Sequence, residues 1–310
     1  MMKKLIGFLL AAGGIVCVQA QTSISGTLDW EKLKIHTLIT FDIKGSGITL
    51  PAGRALAEDT LFSQYFAKIE PFILSIPVDS STTIGDWVVQ GMLTPVVIDA
   101  LANNAAKIPT VYSKDFNALS AQYIIDLTDV SQKLVRHSRP ADIPSTFAPH
   151  ESAAYTGILI IAAHKVPFHG RHTTTNIVPC LFPKIWDTEM NLIYEKNMMR
   201  PEAFSVNTMI HYTKQSSIFQ NTPSGIAPEL EKIIGSKPLR IIAREAFGIS
   251  PTDPVIDKED ALKIISSETN KELLRTGRVA IVLPDNTLIK DINEGMIKAE
   301  SKTPVGFDRR

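Results

Sequence analysis

The segment from His164 to His172 reads HKVPFHGRH and gathers three of the chain's seven histidines around Arg171 and Gly170. Neutral imidazole binds zinc or copper well, which makes His164, His169 and His172 the candidate metal ligands of this chain. Structural zinc takes four protein ligands, and catalytic zinc takes three with a position left open for water. Neither set is complete here. Cys180 lies eight residues further on, Glu151 precedes the next apolar run, and HExxH is absent. Pro167 and Gly170 mark a loop, and a loop holds three ligands only when second-layer hydrogen bonds orient them. The histidines therefore read as solvated loop residues, with a metal site as the alternative. Arg171 beside His172 adds an anion contact as a further option.

Other reactive constellations are thinner. The chain has no GxSxG, no Walker A loop and no GxGxxG. Gly45–Gly47 reads GSG after a strand-like run, but no lysine or second glycine pattern follows, so it reads as a turn. Cys180 sits between Pro179 and LFP, where a buried inert thiol is the default and a nucleophile paired with His169 or His172 the alternative. Asp79-Ser80-Ser81 has the pattern of a capped turn. Asp257 and Asp260 fit the acidic first turn of a helix. The sequence assigns no catalytic residue and no cofactor.

The elements that would position these residues fall into two blocks. In the first, LKIHTLITFDI (Leu33–Ile43) is rich in β-branched residues and reads as a strand. PAGRALAEDTLFSQYFAKI then puts Leu56, Leu61, Phe62, Tyr65, Phe66 and Ile69 near helical spacing, with Pro51 at its start and Pro71 as its end or kink. MLTPVVIDALANN follows as a second helix or an irregular turn. Ile108–Ser113 and Ala121–Leu127 read as strands joined through KDFN. SRPADIPSTFAPHES, with three prolines between Ser138 and Ser152, marks a linker. The second block opens with Tyr155–Ala163, an apolar run suited to a strand buried on both faces. LFPKIWDTEMNLIYE reads as a hairpin around DTEMN, APELEKIIGS as a helix, and PLRIIAREAFG as a strand. DKEDALKIISSETNKELLRTG reads as one helix from an Asp257 cap to Gly277, and RVAIVL as a closing strand. Residues 284–310 read as a polar tail.

The N-terminus speaks to compartment. Lys3 and Lys4 precede an uncharged run, Leu5–Val16, and Val18-Gln19-Ala20 offers a cleavage site, the pattern of a secretory leader. The run is shorter than the ~20 residues that span a bilayer. Val16 before Cys17, and Gly14 where Leu is usual, argue against lipid attachment at Cys17. Cleavage after Ala20 removes two lysines and leaves 30 basic against 32 acidic residues. That balance offers no general basis for holding nucleic acid. It also leaves Cys180 alone, so no internal disulfide can form in the mature chain.

The order SGTLDW, GRALAEDTLFSQYFAKI, IPVDSSTTIGDW, YTGILIIAA, LFPKIWDTEMNLIYE, GSKPLRIIAREAFG, DPVIDKEDALKII and LLRTGRVAIVL resembles bacterial envelope proteins of the LPP20 lipoprotein type. These are related to the N-terminal domain of the flagellar assembly protein FlgT. The resemblance covers most of residues 24–283. It implies small α/β modules of the periplasm or outer membrane without catalytic residues, with a flagellar role as an option. It says nothing about the histidines, because His164 to Pro179 reads as extra sequence.

The reading is an α+β protein with two small domains, each a short mixed or antiparallel sheet with packed helices. Residues 1–20 are the leader, 21–137 the first domain, 138–152 the linker, 153–283 the second domain and 284–310 the tail. The expected function is non-catalytic: a periplasmic or otherwise exported envelope protein, outer-membrane association included, that contacts envelope or flagellar proteins through exposed edge strands. It has no membrane span and no nucleic-acid partner, and self-association into a homo-oligomer is compatible with it. The alternative is a metal-binding protein or metal-dependent hydrolase built on His164, His169 and His172. The mature protein is expected to begin at Gln21 without lipid. Intact mass of the exported protein checks this, and a diacylglyceryl group on Cys17 at the mature N-terminus refutes it.

Overall fold

The computed structural model describes residues 22–146 and 151–293. The expected leader and cleavage site, Cys17, and the rest of the expected tail from residue 294 onward lie outside the described residues. The fold is mixed α+β with two domains.

The first domain runs β1 (Thr22–Asp29), β2 (Lys34–Asp42), α1 (Ile43–Ser46), α2 (Arg54–Leu74), α3 (Ile84–Val89), α4 (Pro95–Asn103), β3 (Ala106–Tyr112), β4 (Ala118–Asp126) and α5 (Thr128–Lys133). On β2 every second residue points inward: Ile35, Thr37, Ile39 and Phe41 are buried, while His36 and Leu38 face solvent. That alternation fits a sheet covered on one face. The cover is α2, whose buried stripe is Ala57, Leu61, Tyr65, Ile69, Phe72 and Ile73. Leu56 and Phe62, expected on that stripe, are exposed. The helix begins at Arg54 instead of Pro51 and runs through Pro71 to Leu74. Pro71 sits close to the C-terminal end, where losing one backbone hydrogen bond is offset by burial of Phe72 and Ile73.

The second domain runs β5 (Ile158–Ile161), β6 (Val166–Pro167), β7 (Thr174–Thr175), β8 (Ile185–Asp187), β9 (Leu192–Tyr194), β10 (His211–Lys214), α6 (Pro228–Ile234), β11 (Leu239–Ile242), β12 (Glu245–Phe247), β13 (Asp253–Ile256), α7 (Lys258–Ile265), α8 (Glu268–Arg275) and β14 (Val279–Leu283). Its larger sheet, in the order β10-β14-β5-β11, is entirely parallel, where a mixed or antiparallel sheet was expected. The apolar runs of β5 and β14 explain this. Parallel sheets are covered on both faces, and Val279–Leu283 is buried at every residue. One face packs under α6 through Leu159, Leu230, Ile234 and Val282; the other joins the main core. A smaller sheet, β12-β13-β8-β9, contains the expected hairpin around DTEMN, with Asp187 accepting bonds from the Glu189 and Asn191 amides. PLRIIAREAFG turns out to be two strands, β11 and β12, in different sheets. The expected single helix after Asp257 is also two, broken at Ser266–Ser267.

The tail reading fails for residues 284–293. After Pro284 comes α9 (Asp285–Leu288), then β15 (Ile289–Asn293), which pairs antiparallel with β1 from Asp29↔Ile289 to Ser25↔Asn293. The first domain's sheet is therefore five-stranded, β15-β1-β2-β4-β3. Buried Leu288 and Ile292 hold the returning segment.

The two domains share one apolar core. Backbone bonds cross between them from Leu181 to Pro77 (3.1 Å), Phe182 to Val78 (2.8 Å) and Ser250 to Ser80 (2.8 Å). Gly248 adopts φ 114°, and a Cβ there would meet Ser80. The Lys196 ammonium lies 4.1 Å from the centre of the Trp87 ring and 5.3 Å from that of Phe182. Burial lowers its pKa.

The proline-rich linker is docked along its described parts. Ile143 is buried, the Ala141 amide donates to Asn197 O (2.6 Å), and buried Lys271 donates to Ser145 Oγ (2.7 Å). Buried Asn270 completes the attachment. Its Oδ1 accepts from the Tyr155 amide, and its Nδ2 faces Ser152 Oγ, Ala153 O and Lys263 O at 2.9–3.0 Å. Replacing Asn270 by Ala strands these groups, at a cost of about 2 kcal/mol. Denaturant unfolding of Asn270→Ala should show that loss together with earlier proteolysis near residues 151–155. A variant as stable as the parent refutes the assignment.

Candidate functional site

The histidine segment forms a short hairpin: His164 and His172 are solvated as expected, while His169 is partly buried against the small sheet. β6 pairs with β7, and the turn between them docks on the small sheet through a bridge from Phe168 to Ala246. Val166 and Phe168 are buried beneath it. The His169 amide donates to Ala246 O (2.8 Å), its Nδ1 lies 2.6 Å from Glu245 Oε2, and its ring meets Phe247 edge-on. Arg171 stacks 4.2 Å from the centre of the Phe168 ring and donates to Ile249 O (3.3 Å). His164 and His172 are exposed. Among the described residues no three His, Cys, Asp or Glu side chains converge to hold a metal. Nδ1 of His169 is thus held by Glu245, and Arg171 is committed to hairpin packing.

The remaining candidates have structural roles. Cys180 is fully buried, and burial, reinforced by the Asp253 charge, raises its thiol pKa. A thiol so placed stays protonated and is a poor nucleophile. Asp253, buried between β13 and β8, accepts from Thr252 Oγ1 (2.7 Å) and the Lys184 amide (3.1 Å), and burial still raises its pKa. Asp79 Oδ1 accepts from the Ser81 and Thr82 amides (both 2.8 Å), the capped turn expected there. Gly45 closes a turn on Asp42, and Gly47 ends α1 at φ 74°. Asp257 holds the N-cap position of α7 as expected, but its carboxylate makes no capping bond and pairs with Arg244 (2.7 Å to Nε). Asp260 pairs with Lys263 (2.6 Å).

A concavity lies elsewhere, between the domains along the outer side of β10. A cavity of about 540 Å³ is lined by Glu31, Thr213, Lys214, Ser217, Glu229 and Ile233 among others. A second, of about 230 Å³, is lined by Leu33, Gln132, Phe204 and Thr208. The two share Glu31, Lys32, His211 and Tyr212, so they form one groove with β10 as a wall. The other wall comes from the β1–β2 turn of the first domain. It is fixed by Thr213 Oγ1 donating to Glu31 Oε1 (3.0 Å) and by Trp30 meeting Tyr212 edge-on at 6.1 Å. Sequence inspection missed this groove because its walls, Glu31 and Thr213, lie far apart in the chain. His211 alone, an ionisable residue opening a strand, offered a signal.

His211 stands where the two cavities meet, with Thr208 Oγ1 at 3.4 Å from Nε2. Burial lowers its pKa from 6.5 to about 4, so the ring is neutral at pH 7. The unfolded chain then binds more protons between these values, and stability is complete above pH 6.5 and falls as pH drops toward 4. The loss amounts to about 3 kcal/mol at most. Urea unfolding across pH 4–7 should show this slope in the parent and a flatter one in His211→Asn. Parallel slopes refute the assignment.

With this geometry in hand, comparison with known proteins is informative for each domain. Residues 21–133 match the family model of the Treponema pallidum Tp0624 N-terminal domain, and residues 157–286 match that of the Tp0624 second domain. No curated protein sequence matches the chain. These matches do not bear on the LPP20 and FlgT resemblance. The chain is similar, in order, to the N-terminal and second domains of Treponema pallidum Tp0624, joined here by the docked connector.

Proposed function

We propose that this protein is a non-catalytic, exported cell-envelope protein that holds a partner protein in the groove between its domains. One observation carries the reading: β10 is an edge strand of the parallel sheet, and its outer side faces the groove. An edge strand presents unpaired backbone donors and acceptors, which an extended segment of another protein can satisfy. The groove's charges also fit. Glu31 and Lys32 on one wall and Lys214 and Glu229 on the other balance, which suits main chain better than a strongly charged ligand.

Other sheet edges fit less well. β3 is blunted by Lys107, Pro109 and an irregularity between Ile108 and Val111. β11 exposes the apolar side chain of Ile242. The envelope location rests on the leader pattern and the LPP20-type resemblance, and a flagellar assembly is one setting for the partner. A metal-dependent hydrolase would need His164, His169 and His172 to converge, and among the described residues no three such side chains come together. No helix among the described residues is long and apolar enough to cross a membrane.

Photocrosslinking in intact cells tests the groove. A photoreactive residue at Lys214 or Gln220 should give a protein adduct of discrete mass in the envelope fraction, while the same residue at exposed Val89 gives none. Absence of adducts from both groove positions, or identical adducts from Val89, overturns the proposal.

A further inference from the structure

The returning strand β15 joins the first domain's sheet from the far end of the described chain. It contributes an edge to a sheet whose other four strands and covering helix come from residues 22–126. Five residue pairs join it to β1, yet of its own side chains only Ile292 is buried. Ile289, Asp291 and Asn293 lie on the exposed face, while the inner face carries buried Ile292 and Lys290, whose ammonium lies 5.3 Å from the centre of the Phe72 ring. Strands with so weak a buried face are prone to exchange. It also lies beyond both family matches, which end at residues 133 and 286.

Residues 284–287 connect this strand to the deeply buried β14. They make one short turn, closed by the Thr287 amide donating to Pro284 O (2.9 Å). Straightening four residues from helical to extended rise adds about 7 Å of reach. β14 would not need to move, since its last residue, Leu283, is fixed in the parallel sheet.

We propose that β15 is an exchangeable strand through which two copies of this chain pair, each seating its β15 on the β1 edge of the other. The occupant is specified by what already sits there. The register from Asp29↔Ile289 to Ser25↔Asn293 and the pocket for Ile292 are complementary to this segment. Exchange preserves all of those contacts and alters only the hinge, which makes it a low-cost route to a dimer. The residue before the strand also touches the groove's border: Leu288 O accepts from the Trp30 amide (2.9 Å), and Trp30 adjoins Glu31 and Lys32.

The test uses the full chain carrying Cys17→Ser with Thr27→Cys and Asp291→Cys, two positions directly opposite in the β1–β15 ladder. The protein is refolded from denaturant at low and high concentration, separated by size and oxidised. The expected result is monomer at low concentration, with the disulfide closed within one chain. At high concentration a dimer forms whose chains stay joined on a non-reducing gel. Two results overturn the proposal: no dimer at any concentration, or a dimer whose disulfides all close within chains.

Discussion

Much of this architecture depends on how Tyr212 is held. Its hydroxyl donates to Cys180 O (2.9 Å) and accepts from the Cys180 amide (3.1 Å), while its ring meets Trp30 of the first domain edge-on. One side chain thus satisfies both backbone groups of a buried residue and carries the contact between domains. Leaving such groups without partners would cost about 1–3 kcal/mol each, which explains a tyrosine where phenylalanine would fill similar volume. The consequence extends outward. Fixing Tyr212 fixes β10, β10 forms one wall of the groove, and Trp30 anchors the turn that forms the other.

Around that contact, ionisable groups are enclosed where charge is costly, and each is managed differently. His211 stays neutral, its pKa lowered to about 4 by burial. Asp253 keeps three donors around it and is still pushed up by burial. Lys196 is pushed down by burial, with Asp79 opposing that shift and the faces of Trp87 and Phe182 beside its ammonium. All three lie at or near the seam between domains, so the seam combines apolar packing with specific polar partners. Two domains joined in this way move as one body more readily than two beads on a flexible linker.

What could be read from the sequence follows periodicity. The β3–β4 hairpin, the buried β5, the hairpin at DTEMN and the closing β14 were expected because each has a local pattern of apolar residues and turn formers. Failures arose where a tertiary partner overruled local preference. Asn270 captures Lys263 O and the connector, and the helix expected to run unbroken is divided there. Val166 and Phe168 bury themselves against the small sheet, so a segment punctuated by Pro167 and Gly170 becomes a docked hairpin. The parallel pairing of β5, β10, β11 and β14 leaves no signature beyond their apolar content. The candidate site was least visible of all. Histidines clustered in sequence drew attention to 164–172, whereas the groove assembles residues whose proximity exists only after both domains dock.

The pairing of β15 with β1 has a consequence for the order of events during synthesis. Asp29 emerges early and its partner Ile289 very late, so this ladder has nearly the largest sequence separation the described chain permits. Closing so long a loop adds little extra entropy cost at equilibrium, because that cost grows only logarithmically with length. In time, however, the penalty is real: contacts this remote form slowly and late. The first domain must therefore stand with its β1 edge uncovered while the whole second domain is being made. An exposed strand edge is the feature that invites misassociation, and here it persists until almost the last described residue is available to cover it.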